Sequence, residues 1–287
     1  MIVVTGATGN VGRPLVRALV EAGEQVTAVS RRISAQRVPA GVRHHQGDLG
    51  EPAHLKPAFD GAEALFLLTS GDFMAAGGDL RATLDVARGA GVRRVVLLSS
   101  QGVGTGDLPP VLEDAVRASG LDWTILRSGG FHSNALQWAD MIRARGEVAA
   151  PFGDVALPTV DPADIAQVAA VALREPGHDG RIHELTGPAP VSPRQQTAAI
   201  EAVLGTAVRF VELSRAQARE RMLGVMPEPV VESTLDMLGA PAAALRRVGP
   251  DLERLLGRPG RTFAQWAARH AGAFERQSVE PAPRSSR

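Results

Sequence analysis

The sequence predicts an α/β fold, a doubly wound parallel sheet followed by a smaller, mainly helical C-terminal lobe. Two observations carry this. Short continuous apolar runs alternate with amphipathic stretches through the first half of the chain, as parallel strands buried on both faces alternate with their covering helices. A glycine-rich turn, VTGATGNVG at residues 4–12, also separates the first apolar run from the first amphipathic stretch.

In order, strands are expected at 2–5, 25–29, 42–46, 64–68, 94–98 and 123–126, with helices at 11–22, 52–59, 78–89 and 112–119. Beyond residue 126 the alternation loosens. A helix is expected over 131–145, an extended segment or strand over 155–160, a helix over 162–174 and a strand over 181–185. Asp161 followed by Pro162 is a helix-start signal. From residue 191 helical patterns at 194–203, 215–223 and 227–238 dominate, with one apolar run at 208–213. The expected partition is therefore a sheet domain over 1–150, to which 155–187 returns, and a smaller lobe over 188–276 covering the carboxyl edge of the sheet. The Ser-, Pro- and Arg-rich stretch 277–287 reads as a disordered tail.

Composition excludes several classes. Thirty-one basic and thirty-one acidic residues cancel, so no charge excess marks a nucleic-acid or membrane surface. No cysteine is present, which removes disulfides, thiolate nucleophiles and Cys-ligated zinc. His44 and His45 are adjacent on an expected strand and face opposite ways, so no metal site is expected there or elsewhere. No apolar run is long enough to span a bilayer, and Met1 leads straight into a strand-like run without a basic leader, which reads as a cytoplasmic protein. There is no tyrosine, and Lys56 is the single lysine, so chemistry that needs a Tyr/Lys pair is excluded.

Gly6, Gly9 and Gly12 stand between strand and helix, where glycine permits a tight turn, close approach to a pyrophosphate and close helix–strand packing. The helix N-terminus adds amide donors and a favourable dipole. An ordinary strand-to-helix turn has the same outline, but the context points to a Rossmann-type dinucleotide-binding domain. Where an NAD-binding fold usually carries an acidic residue at the end of the second strand, this chain has Ser30 followed by Arg31 and Arg32. Guanidinium groups suit a ribose 2′-phosphate, so the expected cofactor is NADP(H).

TGATGNVG, VSRR, GDL at 47–49, LFLLTS at 65–70, VVLLSS at 95–100 and SGLDWTILRSGGF at 119–131 occur in order. Together they resemble the NmrA-like family of atypical short-chain dehydrogenases, nearest its NAD(P)H:quinone reductase branch. The resemblance spans residues 1 to about 187. It implies that Thr8, Asn10 and Val11 sit in the pyrophosphate loop, Arg31 and Arg32 on the 2′-phosphate, and Asp48 and Leu49 beside the adenine. Thr69, Ser70, Ser99 and Ser100 would line the nicotinamide side. Arg127, Gly129 and Phe131 would close over the nicotinamide, with Phe131 and Asn134 at the substrate entrance. Apart from the resemblance, the spacing of Trp138 and Met141 with Phe131 fits an apolar wall toward the substrate and equally the core face of a helix.

The wider superfamily's YxxxK pair is missing, and the segment DLPPVLEDAV keeps only Glu113, whose place at a helix start needs no catalytic duty. Hydride transfer to a quinone or conjugated carbonyl survives that loss, since the proton can come from water or from His132. The resemblance therefore implies an NADPH-dependent oxidoreductase acting on a small molecule. Its alternatives are an NADP(H)-binding redox sensor and a reductase or isomerase of a specialised metabolite, and it leaves room for a homodimer or a regulatory protein partner.

Overall fold

The computed structural model describes residues 1–275, so the tail expected at 277–287 lies outside the described residues. Contacts group the chain into two units. The first comprises Met1–Ser133, Leu157–Pro190 and Ala242–Thr262, and the second, among the described residues, Asn134–Ala156, Val191–Pro241 and 263–275.

The first unit is built on strands β1 (Ile2–Val4), β2 (Val26–Ser30), β3 (Arg43–Gln46), β4 (Ala64–Leu67), β5 (Arg94–Ser100) and β6 (Asp122–Ser128), with β7 (Glu147–Pro151) diverted to the second unit and β8 (Arg181–Leu185) closing the row. The sheet order is β3-β2-β1-β4-β5-β6-β8, and every pairing is parallel. The first six positions follow the doubly wound dinucleotide-binding order, whose topological switch point lies between β1 and β4.

Alternation along the strands divides the core. Ile2 and Val4 face one cluster with Leu15 and Leu19 of helix Gly12–Glu21 and with helix Pro162–Arg174, whose Ala166, Ala169 and Ala172 are fully buried. Val3 faces the other, with Leu55 and Phe59 of helix Pro52–Phe59 and Leu80 and Leu84 of helix Leu80–Gly89. Each buried Leu or Phe contributes about 1.5–3 kcal/mol against exposure, which is why these runs read clearly in sequence. Asp161 caps its helix as its position predicts, its side chain accepting from the Ala163 amide at 2.9 Å ahead of Pro162.

The second unit holds β7 paired in parallel with β9 (Arg209–Leu213). Its core gathers Trp138, Ile142, Val148, Ile200, Phe263, Trp266 and Phe274. The structure departs from the expected elements at several points. The single helix over 131–145 is instead a bridge at Phe131, a 3₁₀ turn over His132–Trp138 and an α-helix over Ala139–Arg145. The His132 amide donates to Val160 O at 2.9 Å, and this cross-chain bond holds the start of the segment extended. The segment expected at 155–160 as extended chain or strand holds, as a pairing, the bridge between Phe131 and Val160. Strand β7 is not foreseen by the sequence pattern, because EVAAP offers one β-branched residue and little strand signal. The grouping also departs from the 1–150 and 188–276 partition. Residues 134–156 join the second unit, and 242–262 return to the first, where Leu252 of helix Asp251–Leu256 enters the core. No helix among the described residues is long and apolar enough to cross a membrane.

At the β8 edge, His183 is buried and its Nε2 lies 3.2 Å from His178 Nδ1. Burial pushes both imidazoles below 6.5, outweighing the opposing pull of Glu175 on His178 and of Asp251 on His183; Arg94, Arg254 and Arg181 add to the depression. The folded state thus refuses protons that the unfolded chain accepts. Their contribution to stability is present above about 6.5 and is lost as pH falls through the lower folded values. The urea midpoint is expected to decline below about pH 6.5, and His183→Gln is expected to flatten that decline. Equal pH slopes in variant and parent count against the assignment.

Candidate functional site

The carboxyl ends of β1, β2, β3 and β4 converge on one cleft. Thr5, just past β1, stitches the switch point. Its hydroxyl donates to Phe66 O at 3.1 Å and accepts from the Leu68 amide at 2.9 Å. The chain then turns through Gly6, which has φ +61°, and the Gly9 amide donates to Gly6 O at 2.9 Å. Gly12 opens the helix so tightly against this turn that a Cβ there would lie 2.2 Å from Gly6 O.

A cleft of about 250 Å³ lies along these strand ends, lined by Gly6, Gly9, Asp48, Leu49, Thr69 and Ser70, together with Val29, Gly47, Leu68 and Phe73. Asp48 is shaped by its own turn, its Oδ1 accepting from the Gly50 amide at 2.9 Å. Beside it a second hollow of about 410 Å³ is lined by Thr8, Ser30, Arg31, Arg32 and Arg37. Thr8 and Ser30 hydroxyls are 2.9 Å apart and join the glycine-rich loop to the end of β2. Sequence reasoning missed Arg37. The 3₁₀ turn Ala35–Arg37 returns it to the hollow, and flanking Ile33 and Val38 pack against the core. The apolar–polar spacing of Ile33 and Val38 around that turn was the available signal. Among the described residues, neither the Arg32 nor the Arg37 side chain makes a hydrogen bond or an ion pair, and no acid lines the hollow.

Other expected site residues are committed elsewhere. Ser99 donates to Glu113 Oε1 at 2.7 Å, and Arg127 grips the same carboxylate with Nε at 2.9 Å and a terminal nitrogen at 2.8 Å. Arg117 adds a contact at 2.9 Å. Burial would raise the Glu113 pKa, but the bonds from Arg127 and Ser99 and the charges of Arg127 and Arg117 outweigh it and hold it below the usual 4.5. Ser100 caps a short helix by accepting from the Gly102 amide at 3.1 Å. The Gly129 amide donates to Leu185 O at 2.9 Å, and Phe131 packs against the first core cluster. Val11 is likewise a core side chain, contributing only backbone to its loop. Asn10 is exposed and its amide donates to Ser133 Oγ at 3.1 Å.

His132 is not displayed for proton transfer. It is 1% exposed, with Nδ1 2.9 Å from Thr159 Oγ1 and Nε2 3.2 Å from Arg261 O. Trp138 is a core residue of the second unit, 9% exposed, and Asn134 is an exposed residue at that unit's start. The helical spacing of Trp138 served packing.

Everything the cleft offers fits the adenosine half of NADP(H). A backbone turn too tight for any side chain at position 12 opens a helix N-terminus, Asp48 and Leu49 stand at the end of β3, and three guanidiniums border a hollow without acid. An NAD(P)H-binding family model matches residues 6–176. The chain is 40% identical over 283 residues to the (4-alkanoyl-5-oxo-2,5-dihydrofuran-3-yl)methyl phosphate reductase of Streptomyces griseus, covering 96% of this chain and 99% of that one. To the NAD(P)H azoreductase of Xenophilus azovorans it is 35% identical over 287 residues, with 96% and 99% covered. Among solved structures, the NADPH complex of quinone oxidoreductase QOR2 from Escherichia coli superposes with TM-score 0.79 at 28% identity, over 94% of this chain and 99% of that one. The transcriptional regulator NmrA in complex with NADP shares the fold, with TM-score 0.72 at 22% identity over 96% of each chain.

This chain belongs to the NmrA-like family of atypical short-chain dehydrogenases. As an NmrA-like protein it carries an NAD(P)H-binding domain, and its fold is the family's. Within that frame the chain carries the Arg31, Arg32 and Arg37 border and the Ser99–Glu113–Arg127 network.

Proposed function

We propose that this NmrA-like chain is an NADPH-dependent reductase that delivers hydride to a quinone or a conjugated carbonyl. The observation that carries the cofactor choice is the basic hollow at the end of β2, with Ser30 and Thr8 where a carboxylate would repel a phosphate. Arg31, Arg32 and Arg37 hold the 2′-phosphate, and Gly6, Gly9 and the start of helix Gly12–Glu21 take the pyrophosphate. Thr69 and Ser70 lead from the end of β4 toward the nicotinamide ribose. Bound NADPH supplies the hydride.

The acceptor class follows from what the chain lacks and what its relatives reduce. There is no tyrosine, and Lys56 lies exposed on helix Pro52–Phe59, bound to Asp60 at 2.9 Å. A simple ketone needs an acid at its oxygen as hydride arrives, whereas an electron-poor conjugated system spreads the charge and takes its proton from water. The relatives' named acceptors, a furanone, an azo compound and a quinone, are all electron-poor π systems.

Charge reversal at Arg32 tests the cofactor assignment. Arg32→Glu is expected to weaken NADPH binding about 100-fold, since it removes one charge-assisted contact and adds a repulsion, while NADH binding changes by no more than about twofold. Arg37→Gln, which only deletes a contact, is expected to cost about tenfold for NADPH. Fluorescence titration reads both, and equal affinities of the parent for the two cofactors would remove the assignment. The activity is tested by NADPH consumption against a panel of quinones and conjugated carbonyls. Turnover is expected on at least one. Tight NADPH binding with none across the panel would replace the reductase with a cofactor sensor.

A further inference from the structure

Outside the cleft, a polar network of the first unit joins three stretches of chain around His132. The Val160 amide donates to Gly130 O at 2.8 Å, and the His132 amide to Val160 O at 2.9 Å. The His132 ring bridges Thr159 and Arg261. Because Arg261 O can only accept, the Nε2 that lies 3.2 Å from it carries a proton, and Nδ1 shares a hydrogen bond with the Thr159 hydroxyl. Arg261 is fixed in turn by Asp164, which is wholly buried. The Arg261 amide donates to Asp164 Oδ2 at 2.7 Å, its guanidinium binds the same carboxylate, and Arg258 reaches Oδ1 at 2.6 Å. The neighbour of His132, Ser133, is 8% exposed and accepts from the Asn10 amide inside the glycine-rich loop.

Packing alone does not require this. A core histidine is satisfied by its two ring bonds, and an exposed Asn in a loop is satisfied by water. Here the exposed Asn gives up water to reach a buried hydroxyl 123 residues away, on the residue that follows the double-bonded ring.

We propose that Ser133 and His132 are positioning residues for the cofactor loop. The bridge from His132 to Thr159 and Arg261 fixes the height of the turn over 129–133, and Ser133 uses that fixed point to hold Asn10. The glycine-rich loop is thereby set in its phosphate-binding conformation before the dinucleotide arrives, and affinity gains what ordering the loop would otherwise cost. This rests on the loop being the dinucleotide site.

A double-mutant cycle on the NADPH dissociation constant, read by fluorescence titration, tests it. Asn10→Ala and Ser133→Ala are each expected to weaken binding about fivefold, the yield of one net hydrogen bond. The double variant is expected to be no weaker than either single one, and Ser133→Thr, which keeps the hydroxyl, to bind as the parent does. His132→Gln is expected to weaken binding in the parent but to add nothing in the Asn10→Ala background. Asn10 is exposed, so its variant folds. A purely structural His132 would lower the melting temperature without moving the dissociation constant. An unchanged constant for Asn10→Ala, or additive losses in the cycle, overturns the proposal. A parent that fails to bind NADPH at all would overturn the cofactor reading instead.

Discussion

Alanine at position 12 is expected to abolish NADPH binding, with a loss of at least about 100-fold, and to lower the melting temperature of the apoprotein. Two effects oppose each other here. In a helix interior alanine is favoured over glycine by about 1 kcal/mol. At Gly12 the added carbon would lie 2.2 Å from Gly6 O, 2.7 Å from Gly6 C and 2.8 Å from Ala7 Cα. All three are backbone atoms of the turn itself, so no side chain can swing aside, and the loop must open where a pyrophosphate needs it closed. The steric term wins. Gly89, at the end of helix Leu80–Gly89, has no atom within 4 Å of where a Cβ would stand and serves as the control. Gly89→Ala should leave NADPH affinity unchanged and hold or raise stability. Fluorescence titration and a thermal melt of both variants decide it, and a Gly12→Ala protein that binds normally would mean that the turn does not hold the dinucleotide.

Removing Glu113 is expected to cost about 3–5 kcal/mol, the usual result of stripping one partner from a buried ion pair. The carboxylate is wholly buried and Arg127 is 16% exposed, so Glu113→Ala strands a guanidinium with little water to replace its partner. Ser99 loses its acceptor at the same time. Arg117→Ala should cost no more than about 1 kcal/mol, because Arg117 is a third exposed and Glu113 keeps its bonds from Arg127 and Ser99. Urea denaturation of the two variants distinguishes them. Equal small losses would show that the network is not a structural pillar.

The sheet was legible because burial on both faces leaves no room for polar residues, so LFLL and VVLL announce themselves. The cofactor loop was legible for a similar reason, since backbone crowding at Gly12 admits one residue type. Residues whose roles depend on partners far along the chain were not. Arg127 sits 14 residues from Glu113, and nothing local says that it faces a carboxylate and not a nicotinamide. His132 has the composition of a proton donor, and only its partners at 159 and 261 make it a strut. Arg37 escapes notice because the three-residue 3₁₀ turn that places it is marked only by the apolar residues Ile33 and Val38 on either side.

Asp164 gives the order of synthesis a role in folding. Its helix, Pro162–Arg174, covers one face of the sheet, yet the guanidiniums that neutralise the carboxylate lie 94 and 97 residues further on. At about 5–20 residues per second, the ribosome makes them roughly 5–20 s after Asp164 itself. For that interval the nascent chain carries an unpaired acid on the face of a helix due to be buried. The chain crosses between its units after residues 133, 156, 190, 241 and 262, so the piece 242–262 of the first unit is translated after two pieces of the second. The first unit therefore closes only after residues 191–241 of the second unit have been made.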